Sequence, residues 1–349
     1  MVPWGHGGAP ARALTPRPPP ATFSGMPTLP ELLREASRTF AIGIELLPPP
    51  LRDEVRIAYL LLRVSDYLED NEEMDPAVKS ELLRAWERVL ARVDDPAALL
   101  GTLEDARDPT PDALVARHAG AVLAGLERID PGAREIVTDY VRESTLGMAR
   151  WVERGSDFAD ESDLDDYMHE VAGRVGYLLT DLFAYREPST LGPLRAEMME
   201  PAREFGLALQ TVNVIRGLHT DRDRGWVYVP RSFLGDFSGP ASALFQLQHR
   251  PTALAALERL VRKAERHLDA ARGYVRSIPR RHHGIRQFCL LPLFFAVRTL
   301  AISRANPAVF DAETKISRGE VRRIVGAARL LGASNAWMEW YCARLAVAG

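Results

Sequence analysis

The sequence contains only two cysteines, Cys289 and Cys342, with no CxxC pair and no metal-ligand spacing. That leaves no basis for a disulfide framework or a thiolate zinc site, and it points to a reducing compartment. Lysine occurs only at positions 79, 263 and 315, so the 44 basic residues are nearly all arginine. The net charge of −3 gives no basic excess of the kind that a nucleic-acid backbone needs, which argues against nucleic acid as a partner. No window of about eighteen residues is uninterruptedly apolar, so no membrane-spanning helix is expected. The N-terminus lacks the charged-then-apolar pattern of a signal peptide, and a cytoplasmic protein is the expectation. Also missing are a repeat of roughly 20–50 residues and a GxGxxG turn between strand and helix.

Strand-type alternation is scarce too; residues 226–229 are the one strand-like piece, and Pro230 stops it. Helical periodicity instead runs through 29–45, 51–70, 76–92, 111–127, 132–154, 162–186, 191–217, 252–277, 284–304 and 317–346, with proline or glycine between most segments. Residues 1–27 are rich in proline, glycine and alanine, cannot bury enough apolar surface to offset their ordering entropy, and are expected to be disordered. The chain therefore reads as a tail followed by one all-α domain over 28–349.

Chemistry concentrates in a few stretches. In Arg63-Val64-Ser65-Asp66-Tyr67-Leu68-Glu69-Asp70, Asp66 and Asp70 lie one helical turn apart on one face. Such a pair suits Mg²⁺, which takes one or two protein carboxylates and leaves its other positions to water and phosphate; an acidic, solvated helix end is the other reading. In the stretch 210–226, Gln210, Asn213, Gly217 and Asp221 share a helical face, with Arg216 available for an anion; a polar helix end would look the same. Ser37-Arg38-Thr39-Phe40 offers a hydroxyl and a guanidinium beside an aromatic ring, or merely a polar turn of an amphipathic helix. Residues 167–176 place Ala172, Gly173 and Gly176 inside a helix, making room for a neighbouring helix or for a ligand chain. His169-Glu170 starts like a zinc motif, but Gly173 stands at the second histidine position, which rules zinc out. Phe288-Cys289-Leu290-Leu291-Pro292 puts a proline inside a helix.

Together these stretches resemble the squalene/phytoene synthase family, the head-to-head trans-prenyltransferases. The resemblance covers nearly everything after the tail. It implies an all-α class I isoprenoid synthase fold in which two acidic helices face each other across a cavity and hold Mg²⁺, or Mn²⁺, against prenyl diphosphates. It implies Asp66, Asp70 and Asp221 as metal ligands, and Ser37, Arg38, Phe40, Arg63, Gln210, Asn213 and Arg216 beside the diphosphates. By the same resemblance Tyr59 and Arg63 match a tyrosine and an arginine just before the first acidic motif, Tyr167 the tyrosine of the first half-reaction, and Phe40 and Phe288 the cavity wall. Residues 288–292 and 314–319 are similar to squalene synthase elements, the latter implying NADPH at Lys315 and Arg318.

The expectation is thus a monomeric enzyme joining two farnesyl diphosphates and reducing the product to squalene, with peripheral membrane contact for product release. Three positions depart from the family pattern: Gly217 replaces an aspartate, Arg174 an apolar residue and Leu293 a glutamine. They keep open a non-reductive product such as dehydrosqualene, phytoene or hydroxysqualene, a single-substrate terpene synthase, and an inactive prenyl-lipid-binding or assembly subunit.

Overall fold

A computed structural model describes residues 26–347, apart from the Arg38 side chain. Of the expected disordered tail, residues 1–25 lie outside the described part.

Local sequence sets the helix boundaries. Thr28 and Glu31 form a reciprocal capping box on α1 (Leu29–Ala36). The Ser37 hydroxyl then accepts a hydrogen bond from the Phe40 amide at 3.2 Å and starts α2 (Arg38–Ile44), splitting what periodicity alone reads as one helix. The proline run 48–50 separates α2 from α3 (Leu51–Asp70). Next come α4 (Pro76–Leu90), α5 (Ala97–Glu104), α6 (Pro111–Arg117) and α7 (Ala119–Leu126). Asp130 caps α8 (Pro131–Arg154) and Asp160 caps α9 (Glu161–Met168). A π-helical turn, His169–Gly173, joins α9 to α10 (Arg174–Arg186). The long helices α11 (Arg195–Asp223), α12 (Arg250–Ser277) and α13 (His283–Ser303) follow, then α14 (Arg318–Leu331), opened by a Ser317–Glu320 capping box, and α15 (Asn335–Leu345).

No β-strand occurs among the described residues. Residues 226–229, the strand-like piece of the sequence, are irregular: the Val229 amide turns back to the Val227 carbonyl at 2.8 Å, and the Trp226 amide bonds to the Asp221 carbonyl at 2.9 Å and ends α11. Other boundaries differ from the periodic reading: 111–127 breaks at His118 into α6 and α7, 162–186 is interrupted by the π-turn, and 317–346 breaks at 332–334 into α14 and α15. Helix α5 was not anticipated, and α11 continues past residue 217 to Asp223, which puts Asp221 on the helix itself.

Helix α3 packs on α8 and α10, α10 on α11, and α11 on α12 and α13, leaving a cavity bounded by α3, α10, α11 and α13. The small residues in 172–176 serve a helix crossing: a Cβ on Gly176 would lie 2.1 Å from the Ala202 carbonyl oxygen, and one on Gly206 would lie 2.3 Å from that of Ala172. Helix α13 is long and apolar enough to cross a membrane, but most of it is buried in the core. Its Arg286 is fully buried and donates to the carbonyls of Val275 and Ile278 at 2.8 Å each.

Candidate functional site

Two helices end at this cavity, and each ends in acid. Asp66, Glu69 and Asp70 occupy the last turn and a half of α3, and Asp221 that of α11. A helix C-terminus carries partial negative charge, so carboxylates there are unfavourable unless a cation faces them. The chain supplies several. Arg63 donates to Asp66 at 2.6 Å and to Asp112 of α6 at 2.8 Å. Arg224 bridges the two acidic helices, with Nη1 2.6 Å from Asp70 and Nη2 2.5 Å from Asp221. The Lys79 ammonium donates to the Glu69 carbonyl at 2.9 Å.

The acids remain strained against charge. Burial pushes the Asp66 carboxyl up to about 7, Arg63 opposes the shift, and Asp112 and Asp70 add to it. Asp70 and Asp221 are raised for the same first reason, with Arg224 opposing. Glu69 is raised by burial and then by Asp70 and Asp66. An all-oxygen donor set in which carboxylates repel one another across two helix C-termini is chemically suited to Mg²⁺ or Mn²⁺.

The rest of the cavity, about 470 Å³ in all, is apolar and aromatic. Phe288 of α13 meets Phe183 edge to face with ring centroids 6.2 Å apart, and Phe205 meets Tyr274 likewise at 5.9 Å. Phe40 lies 5.8 Å from Tyr59. Tyr167 is buried among Trp151, Phe158, Trp226 and Tyr228. Its hydroxyl donates to Glu69 at 3.3 Å and shares a 3.0 Å hydrogen bond with Tyr228. Burial raises both phenols well above the usual tyrosine range, with the Glu69 charge adding, so both are neutral.

The cavity brings together Phe40, Tyr59, Arg63, Asp66, Asp70, Tyr167, Gln210, Asn213, Arg216, Asp221 and Phe288. Ser37 does not line it; its hydroxyl caps α2 and so sets Phe40. Arg38 opens α2, but its side chain is outside the described part. Lys315 and Arg318 are exposed and outside the wall. Lys315 pairs with Glu313 at 2.5 Å, and Glu313, which does line the cavity, approaches Arg216 Nε at 3.3 Å. Both cations thus lie on the solvent side of the wall. Sequence reasoning gave no role to Glu69, Arg224, Tyr228 or Glu313. Glu69 and Arg224 were detectable as residues three positions after Asp66 and Asp221; Tyr228 and Glu313 reach the site only through tertiary folding.

A squalene/phytoene synthase family model matches residues 33–320. The chain belongs to the squalene/phytoene synthase family. It is 29% identical over 293 residues to the squalene synthase of Eremothecium gossypii, which covers 83% of this chain but 64% of that relative, so the chain spans less than two thirds of its length. A solved complex of TcSQS with the ligand BPH1237 superposes with a TM-score of 0.76 at 24% identity, over 91% of this chain and 90% of that one. A dehydrosqualene synthase in complex with ligand superposes at 0.63 and 21% identity, over 86% and 94%. Both share the all-α class I isoprenoid synthase fold.

For a squalene/phytoene synthase, the three departures fall differently. Arg174 points away from the cavity, held by Glu170 at 2.5 Å and by Glu143 of α8, so it puts no charge into the apolar wall. Leu293 is fully buried beside the cavity wall but does not line it. Gly217 does line it, and a Cβ there would lie 3.3 Å from Asp221 Oδ2, so the missing aspartate leaves Asp221 without a second acid one turn earlier on its own helix. Two other acids, Asp223 on the same helix and Asp181 on α10, do not take that place. Asp223 pairs with Arg222 at 2.5 Å, and Asp181 accepts from Arg195 and from Tyr140 at 2.8 Å outside the cavity.

The raised Asp66 carboxyl makes a prediction with a definite sign. A folded-state pKa above the unfolded value means that folding takes up protons between about pH 4 and pH 7, so stability falls as pH rises through that window. The thermal midpoint of metal-free protein is expected to fall from about pH 5 to about pH 8. Saturating Mg²⁺, which binds deprotonated carboxylates, should flatten the fall, as should Asp66→Asn without metal. Scanning fluorimetry across pH in EDTA and in Mg²⁺ checks this; a slope unaltered by either change would dissociate Asp66 from the effect.

Proposed function

We propose that this chain joins two farnesyl diphosphates head to head, through a cyclopropyl diphosphate, to a C30 hydrocarbon that is squalene when reductant is supplied. The observation that carries the reading is one cavity with two chemistries: paired acids and arginines at the ends of α3 and α11, and an aromatic and aliphatic wall from α10, α11 and α13.

Asp66, Asp70 and Asp221 would hold Mg²⁺, which when bound supplies positive charge to the departing diphosphate. Arg63, Arg216 and Arg224 face the same space and would bind the diphosphate oxygens. Arg224, which now pairs with Asp70 and Asp221, would be free to turn to the anion where those carboxylates held an ion. Phe40, Phe183 and Phe288 shield the allylic cation from water, which would otherwise quench it. Tyr167, neutral and tied to Glu69 and Tyr228, acts as a relay in the first half-reaction: its oxygen takes the proton lost on ring closure while its own proton passes to Glu69. The squalene reading is supported by the placement of Phe288, Cys289 and Pro292 in the cavity wall and by the squalene synthases among the relatives.

Gly217 favours a second reading, in which one ion is held too weakly for two ionisations and a single prenyl diphosphate is cyclised or hydrolysed. Product analysis of purified protein with farnesyl diphosphate and Mg²⁺, with and without NADPH, separates the two. Squalene only with NADPH supports the first; dehydrosqualene or hydroxysqualene in both reactions retains the condensation but removes the reduction. A C15 product in both supports the second, and bound but unreacted substrate would indicate a binding subunit. Gly217→Asp sets its Cβ 3.3 Å from Asp221 Oδ2, a close contact that a small turn of the Asp221 side chain relieves, and is expected to lower the Mg²⁺ needed for half-maximal turnover by roughly tenfold.

A further inference from the structure

The last two helices carry a surface unlike the rest of the chain. Among the described residues ten large hydrophobic side chains are exposed, and four of them, Leu330, Leu331, Trp340 and Val347, belong to α14, α15 and the turn that follows. Scattered exposed hydrophobics are ordinary, whereas a concentration of them marks a contact surface. Both helices pack on α13, burying Ile324 and Ala328 from α14 and Met338 and Cys342 from α15. Helical geometry therefore turns the opposite faces outward, with Arg322, Arg329 and Leu330 on α14 and Trp340 and Val347 on the α15 side, all of them exposed.

Charge separates this surface from the rest of the protein. The whole chain is at −3, yet residues 318–347 hold five arginines, Arg318, Arg322, Arg323, Arg329 and Arg344, against two glutamates. Both glutamates are committed elsewhere: Glu320 to Arg298 at 2.8 Å and to the Ser317 cap, and Glu339 to Arg276 of α12 at 3.0 Å. None of the five arginines is in an ion pair among the described residues. The undescribed residues 1–25 contain no acid that would neutralise them. Arg323, Arg344 and Arg298 also line, with Tyr341, a hollow of about 370 Å³ between α13, α14 and α15, and the Arg344 guanidinium lies 5.7 Å from the Trp340 ring.

From this combination we infer that the α14–α15 face docks on an anionic lipid bilayer. Trp340, Leu330, Leu331 and Val347 enter the headgroup region, where tryptophan is favoured, and the arginines meet lipid phosphates. The inference deepens the proposed function and rests on it in one respect: α13 lines the catalytic cavity with Phe288, Cys289 and Pro292 and seats the docking helices as well, so an apolar product would be made one helix away from the lipid.

The test is co-sedimentation of the full chain with vesicles of phosphatidylcholine alone and with about 30% phosphatidylglycerol, at low and high salt. Wild-type protein is expected to partition onto the anionic vesicles and to be released by salt. The pair Leu330→Glu with Trp340→Glu is expected to weaken partitioning at least tenfold, and Arg322→Glu with Arg329→Glu roughly fivefold per arginine or more. All four side chains are exposed, so thermal midpoints and turnover of detergent-dispersed substrate should be unchanged. Absence of wild-type partitioning, or equal partitioning of all three proteins, overturns the inference. So does a wild-type dimer that the Leu330 and Trp340 changes convert to monomer without altering vesicle binding, because the face would then belong to a second copy. Loss of all product formation with vesicle binding intact would sink the proposed reaction and leave the docking face standing.

Discussion

Asp70→Asn is expected to lower kcat/KM for farnesyl diphosphate by about three orders of magnitude or more, while leaving the thermal midpoint unchanged or slightly raised. The two halves of this expectation have one cause. Asp70 is the last residue of α3, where its charge opposes the helix dipole, and its carboxyl is raised by burial. Asparagine keeps the shape and removes the charge, so the fold loses little; Arg224 gives up its 2.6 Å contact with Asp70 but keeps Asp221. A Mg²⁺ site, by contrast, loses with that charge the attraction that offsets dehydration of the ion. Titration with Mn²⁺ followed by electron paramagnetic resonance should show weakened binding beside the lost turnover. Asp223→Asn, on an exposed acid already paired with Arg222, should alter neither. An Asp70→Asn protein that unfolds easily and still binds Mn²⁺ would make Asp70 a structural partner of Arg224 and sink its assignment to the metal.

Much of the fold was legible because its information is local. Helical periodicity with proline and glycine breaks marks most of the helices, whose caps at 28, 130, 160 and 317 the structure then shows, and the i, i+4 spacing of Asp66 and Asp70 survives into the cavity. Where the reading failed, a competing local bond or a tertiary contact won. Ser37 ends one helix and caps the next because its hydroxyl serves the Phe40 amide. Residues 226–229 have the β-branched and aromatic composition of a strand but pack Trp226 and Tyr228 against Tyr167 instead. The site was legible as two acidic helix ends and illegible as a charge network. Nothing in the spacing of the sequence says that Arg224 spans Asp70 and Asp221, or that Arg174 turns toward Glu170 and Glu143 and away from the apolar wall.

Gly176→Ala should destabilise the protein by about 3 kcal/mol or more, against the usual direction of such a change in a helix. An interior glycine replaced by alanine ordinarily gains up to about 1 kcal/mol of helix propensity. Here the added methyl would sit 2.1 Å from the Ala202 carbonyl oxygen, backbone of a neighbouring 29-residue helix that cannot yield as a side-chain tip would. Gly206→Ala meets the Ala172 carbonyl oxygen at 2.3 Å in the reciprocal contact and should cost about as much. Gly326→Ala on α14, with nothing within 4 Å of the new methyl, is the control and should be neutral or stabilising. Urea unfolding of the three variants decides the matter: equal small gains at all three positions would mean that the α10–α11 crossing is looser than described. The same contact shapes the chemistry, because Gly176, Ala202 and Gly206 all line the cavity. A methyl at Gly176 must either push α10 and α11 apart or project into the space offered to the prenyl chains. Any Gly176→Ala protein that still folds should therefore change its product distribution as well as its stability, whereas Gly326→Ala should change neither the products nor their ratio.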